Sequence, residues 1–428
     1  MCKKGQRVAP FLVDYFKREE SSRKSGILLP LLVTSGNYCA IIRTCGKFWV
    51  NGYPFLNTNM EVLMNALNKE VVRAVDLGYG NVKFTISHDD AFGKVECDLF
   101  PSRSPLAGDK GLTAGLVQSR DTVVVNVHGT EYEVGHGVAK AQGTFDQTSV
   151  LDKNFCLSDA YLARLRGALY YMMGSAKSRK KYFEGNKISM LMVGLPVATY
   201  RNEELRNKLK VILTGTHELP DNRTVKVERV MVMPQPLGAF FEYAFEKGMF
   251  DQMKEQTNLI IDPGFFTFDW LLTSGLTPID ARSDSVNRGM SAVIKAMVEA
   301  ANKKEDWEAD IGMIARILDE HYRDGKPFIV FNKEYNPNDY MSAGSAVVNE
   351  AVAALANSVG DGADIQNIIL AGGGAMLFRD AIAKKFHRHQ ILVMDSPVYS
   401  NVRGFQLAGE QQMIRRIRQE RLNAKVTA

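Results

Sequence analysis

Two short segments built around aspartate and glycine, almost two hundred residues apart, constrain this chain more than any other feature. Val71–Phe84 and Leu259–Trp270 each contain an apolar run, then Asp-x-Gly, then a return to apolar residues. This pattern predicts a strand, a tight turn and a second strand. The glycines of such a turn let backbone N–H groups approach phosphate oxygens, and an aspartate at its mouth can hold a hydrated Mg²⁺.

A third glycine cluster, Gly372–Gly374, follows another apolar run at Ile365–Leu370. The repeated strand–Asp-x-Gly–strand unit favours two related halves, and the mixture of strands with helices favours an α/β fold. We therefore expect a nucleotide to be held between the two halves. Taken alone, the first segment is also explained by a plain β-hairpin with Gly80 and Asn81 as its turn residues.

Composition narrows the class of protein. A chain of 428 residues is too long for one compact core and long enough for two domains. Its net charge of +5 is spread along the chain, so we expect no direct sequence-specific binding to nucleic acid. The five cysteines form no close pair, which argues against a zinc site or disulfides and favours a reducing cytoplasm. No apolar run approaches the roughly 20 residues that span a bilayer, so no membrane contact is expected.

Residues 1–65 differ from the rest, because they contain three of the five cysteines and no sustained periodicity. We interpret them as a poorly ordered extension, or as sequence upstream of a natural start at Met60 or Met64. The alternative is a genuine extra subdomain. Mass analysis of the N-terminus of natively expressed protein would test the second interpretation, since an intact Met1 end contradicts it.

Hydrophobic periodicity after Val71 predicts alternating strands and helices. The predicted strands are Val82–Ser87, Lys94–Phe100, Thr122–Val127, Glu131–Val134, Ile188–Val193, Val225–Val232, Asp269–Thr273, Ile365–Leu370 and Ile391–Met394. The predicted helices are Leu157–Met173, Glu203–Leu213, Leu237–Glu246, Ser291–Ala301, Trp307–His321, Ala343–Val359, Leu377–Phe386 and Gly404–Val426. Pro278–Asn287 is predicted to be a short polar connection.

The first turn supplies one set of candidate site residues. Asp76 would face the water shell of a metal ion, and the backbone of Gly78–Asn81 would surround a β- or γ-phosphate. Lys83, seven residues after Asp76, would reach back across the hairpin as a compact positive charge.

The second turn supplies a matching set. Asp262 would ligate Mg²⁺ or orient its water, next to Gly264, and Thr267 would donate its hydroxyl to phosphate. Asp269, just inside the next strand, is expected to tune geometry rather than react. A plain hairpin again explains the spacing equally well.

Four further features have both a functional and a structural interpretation. Gln235, between two prolines, would hold an attacking water in line with a γ-phosphate, or simply cap a helix. Arg288 would touch nucleotide or lie on a solvated surface, and Gly372–Gly374 would support adenosine or mark entry into a helix. The basic stretch Arg415–Arg421 would meet a partner or form a solvated helix face, and we favour the face.

In this order, the segments resemble those of the actin-like ATPase superfamily, most closely the bacterial ParM/StbA-type proteins of plasmid segregation. Residues 76–83 (DLGYGNVK) look like the first phosphate motif, 262–269 (DPGFFTFD) like the second and 368–375 (IILAGGGA) like the adenosine motif. Gln235 falls where actins place a glutamine, and residues 401–405 (NVRGF) look like the closing connector.

The resemblance implies an actin-like (RNase H-like) two-lobe α/β fold with duplicated mixed sheets and a nucleotide cleft. Domain I would span 66–255, with an insertion at about 90–150, and domain II 256–428, with an insertion at about 280–360. ATP or ADP would contact Tyr79, Asn81 and Phe265 besides the residues named above, with Mg²⁺ held through water.

The resemblance also implies slow ATP hydrolysis that depends on Asp76, Asp262 and Gln235 and is coupled to self-assembly into filaments. A DNA-bound adaptor protein is the expected partner in plasmid segregation. The alternatives are a small-molecule kinase of the same superfamily and a nucleotide-binding adaptor that does not polymerise.

Overall fold

The structure is a computed structural model that describes residues 42–44, 47–50, 53–55, 70–88, 95–108, 120–140, 154–174 and 185–426. The chain divides into two compact units, Met1–Asn68 and Lys69–Ala428.

The described part of the first unit is one small antiparallel sheet. Its strands are β1 (Ile42–Thr44), β2 (Lys47–Val50) and β3 (Tyr53–Phe55), in the order β1-β2-β3. The predicted extension over residues 1–65 otherwise lies outside the described residues.

The second unit alternates strands with helices. Its strands are β4 (Val72–Leu77), β5 (Asn81–His88), β6 (Val95–Pro101), β7 (Val123–Val127), β8 (Thr130–Val134), β9 (Lys187–Ile188), β10 (Met190–Leu195), β11 (Gly215–Leu219), β12 (Arg223–Val227), β13 (Val230–Pro234), β14 (Thr257–Pro263), β15 (Phe268–Ser274), β16 (Thr277–Pro278), β17 (Asp284–Val286), β18 (Ile329–Val330), β19 (Lys333–Glu334), β20 (Asn367–Leu370) and β21 (Ile391–Val393). Its α-helices are α1 (Asp159–Met172), α2 (Val197–Tyr200), α3 (Glu203–Leu213), α4 (Gln235–Glu246), α5 (Phe250–Met253), α6 (Met290–Glu305), α7 (Ile311–Asp324), α8 (Met341–Val359), α9 (Ala375–Lys385) and α10 (Ser400–Val426).

The first large sheet has the strand order β13-β10-β4-β5-β6. Strand β4 lies parallel to β10, which lies parallel to β13, whereas β4, β5 and β6 form an antiparallel meander. Nearly every residue of β4 and β10 is buried. Continuous apolar runs of this kind are typical of strands covered on both faces.

The second large sheet repeats this plan in the order β16-β15-β14-β20-β21, with β17 also paired to β15. Strand β14 is antiparallel to β15 and parallel to β20, which is parallel to β21. The central hairpin β14–β15 therefore corresponds to β4–β5. The predicted α/β fold with two duplicated mixed sheets is confirmed.

The long helix α10 joins the two parts of the unit. It crosses α4 and packs along β4 and β10 of the first sheet. Gln406 donates a hydrogen bond of 2.9 Å to the Val72 carbonyl and accepts one of 2.9 Å from Thr85, so the helix is fixed to that sheet by buried polar contacts. Although the sequence prediction assigned this segment to the second domain, it covers the first sheet.

Four predicted elements differ clearly from the structure. The helix predicted over Trp307–His321 spans Ile311–Asp324, because the Asp310 side chain caps its N-terminus. The single strand Val225–Val232 is two strands, because the chain leaves β12 and enters the large sheet as β13. The polar connection Pro278–Asn287 contains a short helical turn at Asp280–Arg282 and strand β17. The terminal helix begins at Ser400 rather than Gly404, since Gly404 lies inside it at a close helix crossing.

Candidate functional site

The first Asp-x-Gly turn places a buried carboxylate between two donors. Asp76 is fully buried near the end of β4. Lys83 lies opposite it in the β4–β5 register, and its Nζ is 2.8 Å from the Asp76 Oδ2. Gln235 Nε2 donates to Asp76 Oδ1 at 2.6 Å. Burial disfavours the charged ammonium of Lys83, but the charge and hydrogen bond of Asp76, together with the Asp262 charge, act against burial, and the pKa of Lys83 is raised.

The second turn has the same strand–turn–strand framework, but the residue opposite its aspartate is acidic rather than basic. Asp262 is buried at the end of β14, and Asn401 Nδ2 donates to its Oδ2 at 2.6 Å. Its register partner on β15 is Asp269, where the first hairpin has Lys83. Burial, together with the nearby Asp269 charge, raises the pKa of Asp262 to about 7, although Lys83 and the Asn401 hydrogen bond act in the other direction.

Asp269 connects the second hairpin to the first half. Its Oδ1 accepts a buried hydrogen bond of 3.0 Å from the backbone N–H of Val197, the first residue of α2. The side chains of Thr267 and Ser285 also donate to it. Burial raises the pKa of Asp269, and these three donors oppose that rise. The Thr267 hydroxyl, which we expected to donate to phosphate, is therefore already engaged.

The two turns touch each other. A Cβ added at Gly80 would lie 2.8 Å from the Cβ of Phe265, so only glycine allows this approach. The rings of Tyr79 and Phe266 pack with centroids 5.2 Å apart. The structure therefore brings together the predicted residues of both turns.

The third glycine cluster lies against the second turn. Gly372 has a left-handed φ of +79°. A side chain there would overlap the Asp262 carboxylate, so this position needs glycine for both conformation and space. Gly374 N–H donates to the Pro263 carbonyl at 2.8 Å. Gly373 is exposed, and a Cβ added there would meet nothing within 4 Å.

Arg288 lies just before α6, at the surface. Its Nε is 2.9 Å from the Glu350 Oε2, and both side chains are largely exposed. The structure thus places Arg288 in a surface ion pair beside the second turn rather than in the buried network of either aspartate.

Gln235 is the first residue of α4, and Pro234 is the N-cap. Its side chain makes no cap and instead bonds to Asp76, so the interpretation of Gln235 as a helix cap is wrong. Asn401, which the sequence analysis quoted only within the connector, proves to be the donor to Asp262. No local signal could have identified this contact, because the two residues are 139 positions apart.

Two buried amide oxygens near the turns, Asn81 Oδ1 and Asn401 Oδ1, lack a hydrogen-bond partner within the described residues. Buried polar atoms of this kind are normally satisfied by water or a ligand. In the same part of the chain, no group of three or more His, Cys, Asp or Glu side chains could hold a metal ion directly. The two unpartnered amide oxygens thus suit a polar ligand.

Two family models match the chain in its two halves. The model described as "Actin like proteins N terminal domain" matches residues 74–238, and the one described as "Archaeal actin homologue MreB-like, C-terminal" matches residues 260–384. No curated protein matches the chain in sequence.

Solved structures of actin homologues share the fold. The archaeal actin homologue Ta0583 matches with a TM-score of 0.61 and 19% identity, covering 80% of this chain and 99% of its own. A ParM from a 15-stranded filament of Clostridium botulinum matches with a TM-score of 0.59 and 19% identity, covering 80% and 99%. The actin-like protein Alp7A matches with a TM-score of 0.60 and 14% identity, covering 82% and 99%.

No helix among residues 70–426, where described, is long and apolar enough to cross a membrane.

The two family models cover successive halves of one duplicated fold, and the solved structures extend the likeness across both. The chain belongs to the actin-like ATPase superfamily, with similarity to its ParM-type members.

Proposed function

We propose that this protein binds ATP with Mg²⁺ between the two Asp-x-Gly turns and hydrolyses it. The observation that carries the proposal is the contact of Gly80 with Phe265, which brings two equivalent turns face to face, with Asp76 and Asp262 buried behind them. Gly78–Asn81 with Lys83, and the backbone of Gly264–Thr267, would hold the phosphates. Gly372–Gly374 and Arg288 would hold the nucleoside.

The donor set fits a magnesium ion held through water. Both oxygens of Asp76 are engaged by protein donors, and Asp262 is engaged by Asn401 and packed on Gly372. Each carboxylate oxygen can accept a further hydrogen bond, and Mg²⁺ usually keeps several of its waters. When bound, the ion would neutralise charge that develops on the phosphates.

Hydrolysis would depend on how the chain orients water. The oxygen of an attacking water bonds to the γ-phosphorus while the bond to the β–γ bridging oxygen breaks, giving ADP and inorganic phosphate, and the water's proton passes to phosphate. Gln235 would orient this water through its amide. Its contact with Asp76 fixes that amide in place.

Nucleotide binding is tested by two matched glycine substitutions. Gly373→Ala and Gly108→Ala both add a methyl that meets nothing within 4 Å, so both variants should fold normally. Only Gly373 lies at the proposed nucleoside site. We expect calorimetry with ATP and Mg²⁺ to show weaker binding by Gly373→Ala and unchanged binding by Gly108→Ala. Equal affinities would contradict the assignment.

We further propose that nucleotide state controls self-assembly into filaments in the cytoplasm, with plasmid segregation through a DNA-bound adaptor as the biological role. The likeness to a ParM that forms a 15-stranded filament supports the first part. A few kcal/mol of coupling between nucleotide and assembly would shift polymerisation by orders of magnitude.

Right-angle light scattering on addition of ATP and Mg²⁺ tests assembly, with Asp262→Ala alongside. A rise that decays as phosphate is released, and that is absent or persistent in the variant, would support a dynamic polymer. ATP binding without any rise would favour a non-polymerising adaptor. Phosphate transfer to an added small molecule would favour a kinase.

A further inference from the structure

A small cavity lies beside Gln235, on the first-half side of the site. Its volume is about 20 Å³, which is enough for one water molecule. Most of its wall is apolar, but Tyr79, Tyr161, Thr199 and Gln235 carry polar groups. A water in a buried cavity needs two to four polar partners, and this wall can supply them.

Among the residues that line this cavity, Tyr161 has a buried hydroxyl that needs a hydrogen-bonding ligand. It is 2% exposed and comes from the first turn of α1, where its ring packs edge-on against Phe155 at 5.8 Å. Its hydroxyl has no hydrogen-bond partner anywhere in the described chain. A buried hydroxyl left without a partner destabilises the fold, so such groups are usually satisfied by an ordered water.

The hydroxyl of Tyr161 is available as a donor. Burial raises the pKa of Tyr161 well above its ordinary value, and Asp76 acts in the same direction. The group therefore stays protonated at neutral pH. It can donate one hydrogen bond and accept another.

Gln235 can accept a hydrogen bond from a water that is bound to Tyr161. Its Nε2 is committed to Asp76, and that contact leaves the carbonyl Oε1 unused. An amide oxygen has two acceptor positions. One can accept from a water in the cavity, while the second stays available for a water that attacks a phosphate.

We propose that one ordered water occupies this cavity, accepts a hydrogen bond from the Tyr161 hydroxyl and donates one to Gln235 Oε1. Tyr161 is then a positioning residue, which holds the Gln235 amide with its nitrogen toward Asp76. The effect of Tyr161 on the reaction rate rests on the proposed ATP hydrolysis. The presence of the water in the cavity does not depend on that proposal.

High-resolution crystal structures of the wild-type protein and Tyr161→Phe provide the first test. We expect a water within hydrogen-bond distance of Tyr161 Oη and Gln235 Oε1 in the wild type. In the variant it should be lost or displaced. An empty cavity in the wild type, or a water unchanged in the variant, would overturn the inference whether or not the protein hydrolyses ATP.

Steady-state kinetics provide the second test. Tyr161→Phe should lower kcat by about three- to tenfold, as expected for one lost hydrogen bond, with KM for ATP within about twofold. Tyr170→Phe is the matched control, because Tyr170 lies on the same helix and its hydroxyl bonds instead to Asp221 at 2.7 Å. It should leave kcat unchanged.

A double substitution separates positioning from a structural effect. In a Gln235→Ala background, Tyr161→Phe should cause no further loss of kcat, because the group that it positions is gone. An equal loss in both backgrounds, or equal losses in Tyr161→Phe and Tyr170→Phe, would overturn the inference. If the wild type binds ATP without hydrolysing it, the proposed function fails, and the crystal structures still decide the question of the water.

Discussion

At the scale of single residues, the two hairpins differ most in one register position. Lys83 faces Asp76 across the first hairpin, whereas Asp269 faces Asp262 across the second. The first aspartate is thus compensated within its own hairpin. The second is buried beside a like charge, and burial first and the Asp269 charge second raise its pKa, although an amide of a distant helix donates to it.

Replacing Asp262 with asparagine should remove a pH dependence. The folded-state pKa of about 7 lies above the ordinary 3.8, so the folded protein binds more protons than the unfolded chain between these values. The stability of the wild type should therefore fall as pH rises from about 4 to about 7. Asp262→Asn should lack this fall and be more stable than the wild type at pH 8.

Urea unfolding between pH 4 and pH 8 measures this difference. Asp251→Asn is a suitable control, because Asp251 is an exposed carboxylate on α5. The free energy of unfolding of this control should vary with pH in the same way as that of the wild type. If the free energy of unfolding of Asp262→Asn also varies in this way, the buried Asp262 carboxylate does not cause the pH dependence.

Removing the lysine of the first hairpin should be costly. Lys83→Met would leave the Asp76 carboxylate buried with only the Gln235 amide as partner. An uncompensated buried charge typically destabilises a protein by about 3–5 kcal/mol. Adding Asp76→Asn to this variant should recover part of the loss in denaturant unfolding, and no recovery would mean that lost packing causes the effect.

At the scale of elements, the crossing of α4 and α10 fixes the back of the site. Helix α4 begins with Gln235, which contacts the first turn, and α10 carries Asn401, which contacts the second. The two helices meet where Gly404 packs on the backbone of Gly238. This close contact sets the separation of the two polar side chains.

A methyl group at the crossing should disturb this separation. In Gly404→Ala it would overlap the backbone carbonyl of Gly238, which cannot move aside easily. We expect a loss of about 1–3 kcal/mol in the free energy of unfolding. Gly409→Ala on the same helix meets the side chains of Met192 and Val72 rather than backbone, so it should cost less. Thermal unfolding compares the two, and equal losses would argue against a special crossing.

Local chemistry explains what the sequence could predict at this scale. The two hairpins were foreseeable because apolar runs and glycine turns are encoded within a dozen residues. The split of Val225–Val232 was not, because Ile188 and Leu191 in other strands decide where β12 ends and β13 begins. Tyr161 falls inside the predicted helix Leu157–Met173, but a buried tyrosine with an unpartnered hydroxyl has the same sequence signal as a core residue.

At the scale of the whole second unit, the two halves are joined at several places. The Asp269–Val197 hydrogen bond lies beside the site. Further out, Arg201 donates to the Asp280 carbonyl at 2.6 Å and to the Ser283 carbonyl, and lies 3.4 Å from Asp284. These contacts tie α2 to the segment before α6, so relative motion of the halves must bend or break them.

Removing Arg201 should loosen this connection without unfolding either sheet. We expect Arg201→Ala to speed amide hydrogen exchange in residues 280–286 while exchange in the two large sheets stays slow. Arg206→Ala is the control, because Arg206 stacks on Tyr200 within the first half. Faster exchange throughout the chain in Arg201→Ala would instead indicate global destabilisation.

The position of α10 has a consequence for how the protein is made. Asn401 and Gln406 complete the second turn and the first sheet, yet both are synthesised after the two central hairpins. A nascent chain that stops short of Ser400 holds both central hairpins, but it exposes the apolar surface that α10 covers. Synthesis of α10 therefore acts as a checkpoint, before which a chaperone would have to shield that surface.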